Sequence, residues 1–116
     1  NIDKRGDFIE FAKSPFIGQI SGFYSNKKIS RGNHFHHTKV ERFLILSGKA
    51  KFTFKHILTG DIFEKIVSYD KPSIVETFPG WIHSIENVDH NLLSGVIWAN
   101  EIFDKNKPDT YLEGEI

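Results

Sequence analysis

Turn-forming clusters interrupt this chain roughly every 8–12 residues, a spacing that accommodates short strands and little else. Ser47-Gly48, Thr59-Gly60-Asp61, Tyr69-Asp70-Lys71-Pro72, Pro79-Gly80 and Asp89-His90-Asn91 carry the punctuation. Glycine there reaches positive φ, proline presets φ, and Asx side chains bond to nearby amides. Between the clusters the chain is rich in aromatic and β-branched residues, with 11 phenylalanines against 3 tyrosines and 2 tryptophans. Such side chains favour a pleated, half-buried surface. The pattern predicts strands over 17–24, 41–46, 50–56, 62–67, 74–78, 81–85 and 92–99.

Two segments add detail. Ala50, Phe52, Phe54 and His56 alternate with Lys49, Lys51, Thr53 and Lys55, a period of two with one wet and one buried face. Glu41-Arg42-Phe43-Leu44-Ile45-Leu46 is nearly continuous in apolar residues and reads as a central strand. Only Asp7–Lys13 offers a helix, of one or two turns, which Ser14-Pro15 would end because proline disfavours helix in the residue before it. The fold class predicted is all-β with little helix, a sandwich or jelly-roll barrel whose two packed sheets manage their edges. Phe43, Ile45, Phe52 and Phe54 read as core. Residues 100–116 are polar, contain Pro108, and read as a tail lying over the barrel or a partner.

Composition acts by exclusion. A chain of 116 residues is one domain. The absence of cysteine removes disulfides, thiolate metal sites and cysteine nucleophiles. Fifteen basic and fifteen acidic side chains give zero formal charge, with no general pull toward nucleic acid or anionic membrane. No apolar run approaches the ~18 residues of a membrane span, and no secretory signal is present. A soluble cytoplasmic protein is expected. The chain holds no methionine and opens abruptly on Asn1-Ile2-Asp3-Lys4, as a domain excised from a longer protein would.

Six histidines are present, and their spacing matters more than their number. In an extended segment His34 and His36 share a face, about 6–7 Å apart along the backbone. Glu41 rejoins that face if the chain turns over Thr38-Lys39-Val40. His83 follows the Pro79-Gly80 turn. Three imidazoles and one carboxylate suit Zn, Fe, Ni or Mn. His56 reads as a hydrogen-bonded core residue, His90 as solvated, and His37 as directed away from the ion.

The stretch His34, His36, Glu41, Gly48 and the stretch Pro79, Gly80, His83, Asn87 resemble the two signature motifs of the cupin superfamily. Lys28 and Ser73 stand where those motifs carry glycines ahead of His34 and Pro79. Cupins are small jelly-roll barrels, often dimeric, with a metal inside. A narrower resemblance covers most of the chain. Asp3-Lys4-Arg5-Gly6-Asp7-Phe8-Ile9-Glu10, Gly18-Gln19-Ile20-Ser21 and Arg31-Gly32-Asn33-His34 resemble cupins that act on nucleotide-linked 4-keto sugars. Trp98-Ala99-Asn100-Glu101-Ile102-Phe103-Asp104 and Pro108-Asp109-Thr110-Tyr111 resemble the end of one branch, the C-terminal cupin domains of bifunctional capsular polysaccharide enzymes. In that branch an NADPH-dependent reductase domain precedes a zinc-bearing cupin, which epimerises C3 of a UDP-linked 4-keto-6-deoxy-N-acetylhexosamine.

The resemblance thus implies that 1–116 is a single cupin domain of a longer chain with an N-terminal reductase. It implies a divalent ion, zinc, on His34, His36, Glu41 and His83, a UDP-sugar substrate and a homodimer. In related metal-independent 3,5-epimerases the His of Arg-Gly-x-His, here His34, is the catalytic base. The metal role is favoured because all four ligand positions are filled. The base is then open among His37, Lys39 and Tyr24, named from chemistry and nearness in sequence. Arg31 and Arg5 suit the diphosphate, since guanidinium forks match phosphate oxygens. Trp81 shares a strand face with His83 and either walls the pocket or fills the barrel. The alternatives are a 3,4-ketoisomerase running through the same enolate, an Fe(II) or Mn oxygenase, and a non-catalytic sugar-binding or dimerising module.

Overall fold

A computed structural model describes the backbone of residues 2–3, 6–25, 30–35, 39–101 and 111–112, and the side chains of 8–25 and 39–101. Among the described residues there is no helix. The strands are Ile2–Asp3 (β1), Gly6–Ser14 (β2), Gly18–Ser25 (β3), Ser30–Phe35 (β4), Glu41–Ser47 (β5) and Lys49–His56 (β6). They continue as Ile62–Ser68 (β7), Ile74–Thr77 (β8), Trp81–Asn87 (β9), Leu93–Ala99 (β10) and Tyr111–Leu112 (β11). Two antiparallel sheets result, ordered β1-β2-β3-β10-β5-β8 and β11-β4-β9-β6-β7. The all-β architecture expected from the turn spacing is observed, and so is the jelly roll that the cupin resemblance implies.

One expectation changes. Asp7–Lys13 is not helical but lies inside β2, paired with β3 from Gly6↔Ser25 to Ser14↔Gly18. Its isoleucine and phenylalanines favour a pleated surface, and the ladder supplies backbone partners that an isolated turn of helix would lack. A register shift between Glu10 and Ala12 accommodates Phe11. The strand does end at Ser14-Pro15, where the Ser14 hydroxyl accepts the Phe16 amide. β5 is a central strand, as expected. It lies between β10 and β8, yet it is buried on one face only, with Leu46 54% exposed. A continuous apolar run does not by itself distinguish one covered face from two.

The inward faces build the core. Phe23, Phe43, Ile45, Phe52, Ile85 and Leu93 are all buried in one cluster, with Phe54 packed against it. Phe43 and Phe52 meet edge to face at 5.2 Å, a favourable aromatic geometry. One end of the barrel is sealed by residues of the two motifs. The Asn87 amide donates to the carbonyls of Ser25 and Asn91, and its oxygen accepts the Asp89 amide. Gly48 holds φ at +82°, and a Cβ there would sit 2.7 Å from the Leu92 carbonyl oxygen. Polar inward-facing residues collect toward the other end.

Candidate metal and substrate site

The site assembles from one rung of each sheet, a rung being a row of directly opposed residues. In the first sheet Gln19, Ala99, Glu41 and Thr77 are successive Cα partners across β3, β10, β5 and β8. The next rung inward, Ser21, Ile97, Phe43 and Val75, is mostly apolar and supports the first. In the second sheet the row is Phe63, Phe54, His83 and His34 across β7, β6, β9 and β4. The two rows meet at a close polar contact: His83 Nε2 lies 3.3 Å from Glu41 Oε1, with side chains 5% and 16% exposed. A carboxylate and an imidazole this close and this dry interact far more strongly than the same pair at the surface. The Phe43 ring stands 6.4 Å from the His83 ring, edge to face, and walls its inner side.

β4 brings His34 directly opposite His83 in register. The pairing slips between Gly32 and His34, so Asn33 is an extra residue in the ladder. Bulges of this kind bend a strand and gather at functional sites. This one falls within Arg31-Gly32-Asn33-His34. The short β11 covers the outer edge of β4, with Leu112 opposite His34, so part of the predicted tail does return to the barrel.

Of the expected ligands, Glu41 and His83 come together and His34 holds the register position beside them. The His34 and Arg31 side chains, and His36, His37 and Arg5 altogether, lie outside the described residues. Arg31 stands opposite Ile85 in register. Among the described residues no third His, Asp or Glu joins the Glu41–His83 pair. Lys39, two residues before Glu41, is 6% exposed. Tyr24 goes elsewhere: it alternates with inward Phe23 and Ser25, so it falls on the outer face of β3. An expectation drawn from nearness in sequence fails there because strand alternation sends neighbours to opposite faces.

Trp81 walls a cavity rather than filling the barrel. A space of about 200 Å³ is lined by Phe54, Phe63, Glu76, Phe78 and Trp81. It continues the His83 row, since Phe54 separates His83 from Phe63. The Trp81 ring is braced at 4.7 Å by His56 and at 5.6 Å by Phe63. His56 is hydrogen-bonded as expected, its Nδ1 accepting the amides of Leu58 and Thr59, but it organises a turn instead of sitting in the core. His90 is exposed, as expected.

Sequence reasoning missed the buried polar residues Gln19, Ser21 and Thr77. The Gln19 amide donates to the Ser21 hydroxyl at 3.1 Å. The signal for these two was available, since polar residues alternate with isoleucine in Gly18-Gln19-Ile20-Ser21. Thr77 gave no comparable sign, because threonine is ordinary in a strand.

Comparisons with known proteins agree with this architecture. The sequence profile of the family described as "Polysaccharide biosynthesis C-terminal domain" matches residues 1–111. A Pseudomonas aeruginosa protein named UDP-2-acetamido-2,6-beta-L-arabino-hexul-4-ose reductase is 46% identical over 109 residues, covering 94% of this chain and 29% of its own. The crystal structure of the capsular polysaccharide assembling protein CapF from Staphylococcus aureus superposes with a TM-score of 0.94 at 46% identity, over 97% of this chain and 33% of CapF. The chain therefore spans about a third of the length of these relatives. An oxalate decarboxylase structure superposes with a TM-score of 0.75 at 17% identity, over 88% of this chain and 28% of the other. That likeness bears on the fold alone, which is the cupin jelly roll.

Proposed function

Since the chain belongs to the polysaccharide biosynthesis C-terminal domain family, we propose that it is a C3 epimerase of a UDP-linked 4-keto-6-deoxy-N-acetylhexosamine in surface polysaccharide synthesis. The observation that carries the reading is the buried Glu41–His83 pair with His34 opposite it in register. Support comes from the P. aeruginosa relative, whose name specifies a UDP-linked 2-acetamido-hexul-4-ose, a sugar with its ketone at C4.

The ketone makes the adjacent C3 proton acidic. Its removal leaves an enolate, and return of a proton to the opposite face inverts C3 with no net change in composition or oxidation state. The chain must therefore hold the sugar, accept the proton and deliver one. His34, His36, Glu41 and His83 would hold a divalent ion, zinc by family resemblance. The donor set fits: imidazole and carboxylate are zinc ligands, and two of the four already converge in a dry interior. When bound, that ion supplies a Lewis acid for the C4 ketone.

His37 and Lys39 are the candidates for the base, and Lys39 has the burial expected of a group walling the site. Arg31 and Arg5 are assigned to the diphosphate. Trp81 and Phe54 give the sugar ring an apolar wall along the rim cavity. A fused reductase domain, a homodimer and a cytoplasmic location complete the proposal. Among the described residues no helix is long and apolar enough to cross a membrane.

The test pairs elemental analysis of the purified protein with an NMR assay of deuterium uptake at C3 of a UDP-4-keto-6-deoxy-N-acetylhexosamine. Near-stoichiometric zinc, deuterium uptake and an inverted C3 product support the epimerase. Exchange with the carbonyl displaced to C3 would replace it with a 3,4-ketoisomerase. Zinc without exchange leaves a binding or dimerising cupin, and iron without exchange favours an oxygenase.

A further inference from the structure

We propose that Thr77 is a positioning residue for Glu41, its hydroxyl donating to the carboxylate once the Glu41–His83 site holds a divalent ion. The inference rests on the metal-binding part of the proposed function. Thr77 is 1% exposed, and its Oγ1 is sealed from solvent with no hydrogen-bond partner among the described residues. A buried hydroxyl without a partner is uncommon and costly. Valine would fill the same volume at no such cost, and β8 already places Val75 on the same inward face. The hydroxyl is what threonine adds at this position.

Register identifies its partner. Thr77 is the Cα partner of Glu41 in the β5–β8 ladder. Directly opposed residues carry their Cβ atoms about 4.5–5.5 Å apart on the same face, within reach of a hydroxyl-to-carboxylate bond. Among the described residues of its own sheet, the other inward neighbours of Thr77 are apolar: Val75 along its own strand and Phe43 diagonally across on β5. Gln19 lies two strands beyond Glu41, on the far side of Ala99. Glu41 is therefore the nearest polar residue by register among the described residues of that sheet. A carboxylate offers about four lone-pair sites, so it can ligate an ion, contact His83 and still accept a hydroxyl. Carboxylates that ligate metals are themselves hydrogen-bonded, and the loss of such a partner typically weakens metal binding 10–100-fold.

The test compares zinc affinity of the wild-type protein, Thr77→Val and Thr77→Ser by competition with a chromophoric chelator. Each metal-free protein is also melted. Thr77→Val is expected to bind zinc about 10–100-fold more weakly, while its metal-free form melts no lower than wild type because an unsatisfied hydroxyl has gone. Thr77→Ser, which keeps the hydroxyl, is expected within a few-fold of wild type. Unchanged affinity in Thr77→Val overturns the proposal. Equal weakening in both variants also overturns it, since the methyl group would then be the part that matters. Zinc-free wild-type protein would overturn the metal reading itself, a result distinct from either.

Discussion

The His83 side chain is buried and that of Glu41 largely so. A buried imidazole and a buried carboxylate each lose hydration, and their 3.3 Å contact offsets part of that loss. Removing either member takes from the other the 3.3 Å contact that offsets part of its burial. His83→Ala is expected to lower the zinc content in elemental analysis, and His36→Ala to do the same, because each removes one of four ligands and weakens the site. Wild-type zinc content in His83→Ala would remove that residue from the ligand set. Asn87 works at the same scale for a different end. Its side chain satisfies two carbonyls and one amide where the barrel closes. Asn87→Ala strands those groups and is expected to cost about 1–3 kcal/mol per group left unsatisfied and dry. Urea denaturation should show a lower midpoint with an unchanged slope.

Elements position these residues through register. β5 and β8 set Glu41 against Thr77, and β4 and β9 set His34 against His83. The slip between Gly32 and His34 is the one irregularity in the β4–β9 ladder, and it determines which residue of Arg31-Gly32-Asn33-His34 meets His83. Between β5 and β6, Gly48 makes the tightest connection available. Gly48→Ala meets both an unfavourable φ and the Leu92 carbonyl. It is expected to destabilise the fold by roughly 1–3 kcal/mol. Gly60→Ala, also at positive φ but with open space around it, is expected to cost less. A thermal melt of the two variants side by side checks the difference. Strand β2 shows the limit of local reading: the same seven residues suit a short helix or a strand, and pairing with β3 decides.

At the scale of the molecule, the sandwich divides its interior into an apolar end closed by Asn87 and Gly48 and a polar end holding Gln19, Glu41, Thr77 and His83. An ion bound by both sheets would tie them together. Metal removal by a strong chelator is therefore expected to lower the melting temperature, by an amount that grows with free zinc concentration in the loaded sample. A melting temperature indifferent to zinc would show that the two sheets are not cross-linked by it. Light scattering checks the proposed homodimer: a mass about twice that of the 13.4 kDa chain is expected, and a monomer at micromolar concentration would remove it.

Much of this was legible in the sequence. Turn spacing and period-two alternation specify many short strands because both depend on local backbone geometry, which the chain carries residue by residue. His34, His36, Glu41 and His83 stood out because few chemistries need that donor set at that spacing. Tertiary structure alone decided which residues share a rung. It turned Tyr24 outward, made Asp7–Lys13 a strand, set Trp81 on a rim cavity and brought Thr77 beside Glu41. Those outcomes depend on pairing between segments tens of residues apart, and a one-residue change in register would reverse every one of the inward and outward assignments.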